Sequence, residues 1–236
     1  MPPHACWRQF RRLGTDLPGY VTPRGKSCDC ERAALSLDFL HMAESPSVLV
    51  VCATARECAT PQGWRTLLCG VGPVESAAAT AAEIARLRPS AILHVGIAGA
   101  RRASGIAPTT MIIGTASHYC DLGVTADWAP NTVDTAPALI AAAQHVLPAA
   151  RSLVIGTSAR IGGGIGCDVE AMEGFGVLRA AQHAGVPAIE VRAISNEVEE
   201  SDRARWHFDD AFAAITRATP ALVAALMRAV AGGDHA

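Results

Sequence analysis

From Val48 onward, short apolar runs alternate with longer alanine-rich segments, and few architectures accept that pattern. Val48-Leu-Val-Val-Cys-Ala53 reads as a strand buried on both faces. The turn Gly70-Val-Gly-Pro73 follows and leads into an alanine-rich helix over Val74 to Arg88, with Pro73 suited to a first helical position. Ala91 to Ile97 and Thr110 to Thr115 read as strands, Ala136 to Val146 as a helix and Ser152 to Thr157 as a strand. Val169 to Ala184 then reads as a helix, Ala188 to Ile194 as a strand, and Arg205 to Val230 as a long final helix. Strands alternating with helices predict an α/β fold, a three-layer α/β/α sandwich whose central sheet is mostly parallel and covered on both faces. Ligands bind such folds at the carboxyl ends of the strands, so functional residues are sought there.

Half of the 236 residues are hydrophobic, enough for the core of one domain. The formal charge of −2 leaves no basic excess, and no arginine stripe with interleaved aromatics appears, which argues against a nucleic-acid partner. Runs such as Ser47 to Ala55 and Ala91 to Ala98 fall short of the roughly 18 residues that span a bilayer, so no membrane is expected. The N-terminus lacks a basic cluster followed by an apolar stretch, which points to the cytoplasm and to eight reduced cysteines. Cys28 and Cys30 have no second pair at zinc spacing, so no metal is expected. Lys26 is the only lysine, and it precedes the regular pattern; Schiff-base and P-loop chemistry, which need a lysine in the domain, are excluded. Residues 1–45 show no sustained periodicity and are expected to be a disordered or non-native extension, with Met42 as the natural start and the folded domain at 46–232.

Two glycine clusters, Gly96-Ile-Ala-Gly99 and Gly162-Gly-Gly-Ile-Gly166, do not match the dinucleotide fingerprint, and no cofactor is expected. Glycines after strands instead let a small ligand approach the backbone. Three polar residues stand near strand ends or a helix start: Glu57, Glu173 and Asn196. Their order is informative. The succession ending in Thr54-Ala-Arg-Glu57, then Gly70-Val-Gly-Pro-Val-Glu-Ser76, Val95-Gly-Ile-Ala-Gly99, Asp121-Leu-Gly123, Glu170-Ala-Met-Glu-Gly174 and Arg192-Ala-Ile-Ser-Asn196 resembles the nucleoside phosphorylase and methylthioadenosine nucleosidase superfamily. Within it, Arg-Ala-Ile-Ser-Asn followed by Asp202-Arg-Ala-Arg-Trp206 looks most like the futalosine hydrolases, which serve the futalosine route to menaquinone.

The resemblance implies a cofactor-free purine nucleosidase that releases hypoxanthine from futalosine. Cleaving an N-ribosidic bond passes through an oxocarbenium-like sugar, so a water must be activated, the ribose held and the departing base stabilised. By similarity Glu57 activates the water, Glu173 binds the ribose hydroxyls, Met172 packs on the sugar and Asn196 faces the purine. Gly72, Gly96, Ala98, Gly99 and Ser195 complete the implied substrate contacts. Adenine-specific relatives carry an aspartate where Asn196 stands; the amide offers both a donor and an acceptor, which suits a 6-oxopurine. Phosphorylases place an arginine near the position of His94, and a neutral histidine holds phosphate weakly, which favours water as nucleophile. His94 reads as a satisfied core or interface histidine rather than a catalytic one, and His118 and His207 have no motif support. The family also implies a homo-oligomer, a dimer or larger. Segments 58–69 and 157–170 are short for the family, and no Phe or Tyr lies between Ala129 and Met172 to stack on a base, which leaves Phe175 or Trp206 as possible sources. Two other readings stay open: a methylthioadenosine or adenosylhomocysteine nucleosidase, disfavoured by Asn196, and a non-catalytic nucleoside-binding protein.

Overall fold

Every residue of β1 (Val48–Cys52) is apolar and buried, and the strand sits inside a sheet with helices on both sides. The computed structural model describes residues 47–125 and 127–232. The expectations for residues 1–45, including Met42 as the start, Lys26 and the Cys28/Cys30 pair, fall outside the described residues. β1 runs parallel to β2 (Arg65–Leu68) on one side and to β3 (Ala91–Ala100) on the other, with Val50 opposite Leu93. Because strand side chains alternate between faces, Leu49 and Val51 point into one core with Ile92, Val177 and Leu178. Val48, Val50 and Cys52 point into the other with Leu93, Leu139, Ile215 and Leu222. Helices α1 (Pro73–Leu87) and α3 (Gly174–His183) cover the first face, and α2 (Pro137–Val146) and α4 (Phe208–Ala231) the second. The chain thus forms the expected three-layer α/β/α arrangement.

The sheet is mixed, and one part of it closes on itself. β3 pairs in parallel with β8 (Ala188–Glu197), β8 antiparallel with β4 (Met111–Tyr119), and β4 in parallel with β6 (Arg151–Thr157). β6 runs parallel to β7 (Val169–Ala171), which returns antiparallel to β3 at Gly99 and Ala100. β5 (Thr132–Asp134) flanks β4 outside this ring. A small core of Ala98, Ala100, Ile112, Ile155, Val169 and Ile194 fills it. Small residues at 98 and 100 allow the closure, since bulkier side chains pointing inward would overfill so narrow a space.

Four elements differ from the sequence reading. Val169 to Ala171 is strand rather than helix, because these residues supply the link that pairs with both β6 and β3. The short strands β2 and β5 give no alternation long enough to be read from sequence. The final helix begins at Phe208, after a single turn over Arg203–Arg205 capped by the Asp202 carboxylate, which accepts from Ala204 N at 3.0 Å. With 24 residues, α4 is long and apolar enough to cross a membrane by length and composition, but its stripe of Ala211, Ile215, Leu222 and Leu226 is buried against the sheet.

Helices α1 and α3 approach closely at Gly176, where a Cβ would lie 2.4 Å from the Pro73 carbonyl and 2.5 Å from Ser76 Oγ. Replacing Gly176 by alanine is expected to cost about 2 kcal/mol through overpacking and to lower the thermal midpoint by roughly 4–8 °C. Gly123→Ala, with nothing within 4 Å, should leave it unchanged; calorimetry on both variants checks the difference.

Candidate active site

At the carboxyl end of β1, a single turn over Ala55–Glu57 folds the Glu57 side chain back onto its own start. Thr54 donates through its backbone N (2.9 Å) and its hydroxyl (3.2 Å) to Glu57 Oε2, the first of these being the bond by which a capping-box glutamate reaches back to the helix start. Ile97 N, on β3, donates to Oε1 at 3.2 Å. Glu57 is 5% exposed, and its three donors fix the carboxylate at the sheet edge. Glu173 occupies the N-cap position of α3, directly after β7. It accepts at Oε1 from Gly72 N (3.1 Å) and at Oε2 from Arg192 Nη2 (3.4 Å). Gly72 has φ of +95°, a conformation that favours glycine and turns its N–H toward Glu173.

Arg192 pairs with Glu173 from within β8, where its side chain is 0% exposed, and Glu57 acts on it as a nearby negative charge. Nε donates to Glu190 Oε1 at 2.8 Å, and Nη2 also meets His94 Nε2. His94 Nδ1 lies 3.0 Å from the Val51 carbonyl. A carbonyl can only accept, so Nδ1 carries the proton and Nε2 presents its lone pair to Arg192. Burial, and then the guanidinium beside it, drive the His94 pKa well below the usual imidazole range. Burial disfavours the Arg192 cation, but Glu190, Glu173 and Glu57 outweigh that and hold it firmly protonated. Burial also raises the Glu173 pKa, with Glu57 and Glu190 adding repulsion while Arg192 and the Gly72 N–H oppose it. Gly96 makes this packing possible, since a Cβ there would fall 2.1 Å from Arg192 Nη1 and 2.7 Å from Glu57 Oε1.

Above this floor lies a cleft into which Glu57, Glu173 and Asn196 all open. Ala98, Gly99, Met172 and Ser195 also line it, whereas Gly72 and Gly96 are not part of its wall and act on Glu173 and Arg192 from behind. A β-bulge between β3 and β8 leaves Ser195 without a partner and sets Asn196 opposite Gly99. The Ser195 hydroxyl donates to Asn196 Oδ1 at 2.7 Å and lies 3.2 Å from the Ala98 carbonyl. Asn196 Nδ2 donates to the Glu197 carbonyl at 2.9 Å. One N–H and one lone pair of the amide stay available to a ligand.

Sequence reasoning did not single out Arg192, Glu190, Thr54, Glu170 or Phe212. The signal for the first two was present: two charged residues, two apart and so on one face, in a strand that is otherwise apolar. Trp206 and Phe212 both line the cleft, while Phe175 stacks on Tyr119 at 5.2 Å inside the helical layer. Trp206 is held by its Nε1–H on the Glu200 carbonyl (2.9 Å), and Arg56 lies over the Phe212 ring while pairing with Asp209. His118 and His207 lie elsewhere, on Thr132 and Asp210. Among the described residues no group of three or more His, Cys, Asp or Glu side chains is arranged to hold a metal. The described cysteines, Cys52, Cys58, Cys69, Cys120 and Cys167, are unbridged.

The glycine-rich segment after β6 is tied down by two carboxylates. Glu170 accepts from Gly162 N and Gly164 N (2.8 Å) and pairs with Arg101 (3.0 Å). Asp121 accepts from Ser158 Oγ (2.9 Å) and Ala159 N (2.6 Å). Through these bonds Ile161 is brought to the cleft.

This chain belongs to the Phosphorylase superfamily, whose family model matches residues 65–231. It is 38% identical to the futalosine hydrolase of Streptomyces coelicolor, a match covering 70% of this chain and 81% of that protein. Its fold is similar to that of futalosine hydrolase of Helicobacter pylori, with a TM-score of 0.67 and 16% identity, covering 76% of this chain and 98% of that one. It is also similar to 5'-methylthioadenosine/S-adenosylhomocysteine nucleosidase from Neisseria meningitidis, with a TM-score of 0.66 and 20% identity over 75% of this chain and 98% of that one.

Removing the Glu170 carboxylate should loosen the glycine segment without unfolding the sheet. Losing its amide and ion-pair bonds is expected to cost about 1.5–3 kcal/mol locally, so that trypsin cuts after the exposed Arg160 at least about tenfold faster in Glu170→Ala. An unchanged cleavage rate would show that the segment is held by other contacts.

Proposed function

We propose that the chain is a purine nucleosidase that hydrolyses the N-ribosidic bond of futalosine and releases hypoxanthine, placing it in the futalosine route to menaquinone. The observation that carries this reading is the convergence of Glu57, Glu173 and Asn196 on one cleft whose wall, among the described residues, includes no arginine or lysine. Arg192 is already engaged by Glu190 and Glu173, and His94 is neutral and buried, so no free cation is offered to phosphate. Water is therefore the nucleophile. The identity with the Streptomyces coelicolor futalosine hydrolase supports the same substrate.

In this mechanism Glu57, fixed by three donors, orients a water and takes its proton as the water oxygen bonds to C1′. As the bond from C1′ to the purine breaks, its electron pair goes to the base, which takes a proton at N7 from solvent water; the hydroxide this leaves is neutralised by the proton that Glu57 then releases. Glu173 accepts from the ribose hydroxyls, Met172 covers the sugar, and both carboxylates stabilise the positive charge that develops on the ring. Asn196 meets the base: its free N–H faces O6 and its free lone pair accepts from protonated N7. Trp206 and Phe212 supply the aromatic surface that segment 157–170 lacks. The enzyme works in the cytoplasm as a dimer or larger oligomer, and two exposed apolar side chains, Val71 at the cleft and Val74 on α1, support self-association. A monomeric mass at micromolar concentration would remove that part of the reading.

The defining assay offers futalosine, inosine, methylthioadenosine and adenosylhomocysteine, with and without phosphate, and measures the free base. Hypoxanthine from futalosine at a phosphate-independent rate is expected; no base from any substrate would favour a binding role, and adenine from methylthioadenosine the nucleosidase alternative. Glu57→Gln should lower kcat by about 100-fold or more, as loss of a general base does. Asn196→Asp should shift kcat/KM from the 6-oxopurine toward the 6-aminopurine by about tenfold or more, because it exchanges the donor facing O6 for an acceptor. Glu173 acts as a carboxylate, and burial raises its pKa. The acid limb of kcat/KM should therefore lie above the range of an ordinary glutamate, with activity falling as pH falls through it; a profile flat down to that ordinary range would contradict the assignment.

A further inference from the structure

Glu190 is a buried carboxylate to which the mechanism above assigns no part. Its side chain is 0% exposed, Oε1 pairs with Arg192 Nε at 2.8 Å, and among the described residues Oε2 has no hydrogen-bond partner. As a stabilising device such a group is a poor choice, because an apolar side chain in a central strand avoids the desolvation that a half-satisfied carboxylate suffers. The surroundings are nevertheless shaped to keep it. A Cβ on Gly174 would lie 2.0 Å from Glu190 Oε2 and 2.4 Å from Cδ. Gly174 is not left-handed, so its backbone does not call for glycine; the space does. Gly174 is also the first residue of α3, whose positive end favours an anion beside it.

We infer that Glu190 is a positioning residue for the ribose site, fixing Arg192 through Nε and matching its charge, with Gly174 clearing the room that the carboxylate needs. The inference rests on the nucleosidase reading for its effect on turnover. Arg192 sits among three carboxylates, Glu57, Glu173 and Glu190, beside a neutral His94. Glu190 engages Nε, which turns the two terminal nitrogens toward Glu173, His94 and the Ile97 carbonyl. With one carboxylate matched to the guanidinium, Glu57 and Glu173 confront the sugar with net negative charge, the field that an oxocarbenium-like transition state requires. Without Glu190 the cation would be shared by the two carboxylates that face the substrate, and that field would weaken. Glu190→Gln keeps an acceptor for Nε and removes only the charge.

The test combines steady-state kinetics on futalosine across pH with thermal midpoints for Glu190→Gln, Glu190→Ala, Gly174→Ala and the Glu190→Ala/Gly174→Ala double variant. Glu190→Gln is expected to fold with an undiminished midpoint, to lose about 10- to 100-fold in kcat with KM within about twofold, and to move the acid limb to lower pH. The limb moves that way because one of the charges that raise the Glu173 pKa, after burial itself, is gone. Gly174→Ala should lower the midpoint and kcat together, and the double variant should recover the midpoint while kcat stays low. Wild-type kcat with an unmoved acid limb in Glu190→Gln would overturn the role, as would additive midpoints in the Gly174 and Glu190 cycle. Wild-type protein that releases no base sinks the nucleosidase reading instead, and the coupling of Glu190 to Gly174 is then decided by the midpoints alone.

Discussion

A guanidinium with no exposed surface, at the centre of a strand, is the constraint around which the site is arranged. Arg192 cannot be left unpaired in such surroundings, because an isolated buried charge is far too costly. Its four partners therefore come from three separate parts of the chain: Glu190 on the same strand, His94 and the Ile97 carbonyl on β3, and Glu173 at the start of α3. The same arrangement dictates two glycines, Gly96 and Gly174, whose missing side chains leave space for the Arg192 and Glu190 groups. It also fixes the histidine tautomer, since the Val51 carbonyl takes the only proton that His94 carries.

The second organising element is the closure of β3, β8, β4, β6 and β7 into a ring. An open parallel sheet would leave the ends of β3 and β8 at a crevice with helices alone around it. Here β7 bridges β3 to β6, so Met172 and Glu173 leave the sheet beside Gly99 and next to the β8 bulge that presents Asn196. Asn196, on β8, and Glu173, two residues beyond β7, are thus anchored by hydrogen-bonded strands rather than by long loops, which limits their freedom to drift. The glycine segment, by contrast, hangs from the Glu170 and Asp121 side chains, and it delivers Ile161 to the mouth of the cleft.

Much of this was legible in the chain. The boundaries of β1, α1, α2 and β6 follow from apolar runs, Pro73 and Pro137 at helix starts, and glycine turns, because these signals are local. Glu57, Glu173 and Asn196 were marked by their places at strand ends or a helix start, and the structure brings all three to one cleft. Other features gave little local signal. Val169 to Ala171 looks like the first turn of the following helix, and only the gap between β3 and β6 makes it a strand. Trp206 and Phe212 reach the cleft because α4 packs back across the sheet, a placement no periodicity reveals.

The sequence by itself determined an α/β chain, its order of elements and the polar residues at their ends, because hydrophobic period, helix caps and turn glycines act over a few neighbours. Tertiary structure alone decided which of those polar groups share a proton or a charge. Glu57 is held by Ile97 N from 40 positions away along the chain, and Glu173 by Gly72 N from 101 positions away. Electrostatic coupling depends on distance and burial in space, and both arise only when the sheet has closed and water has been driven out of its floor.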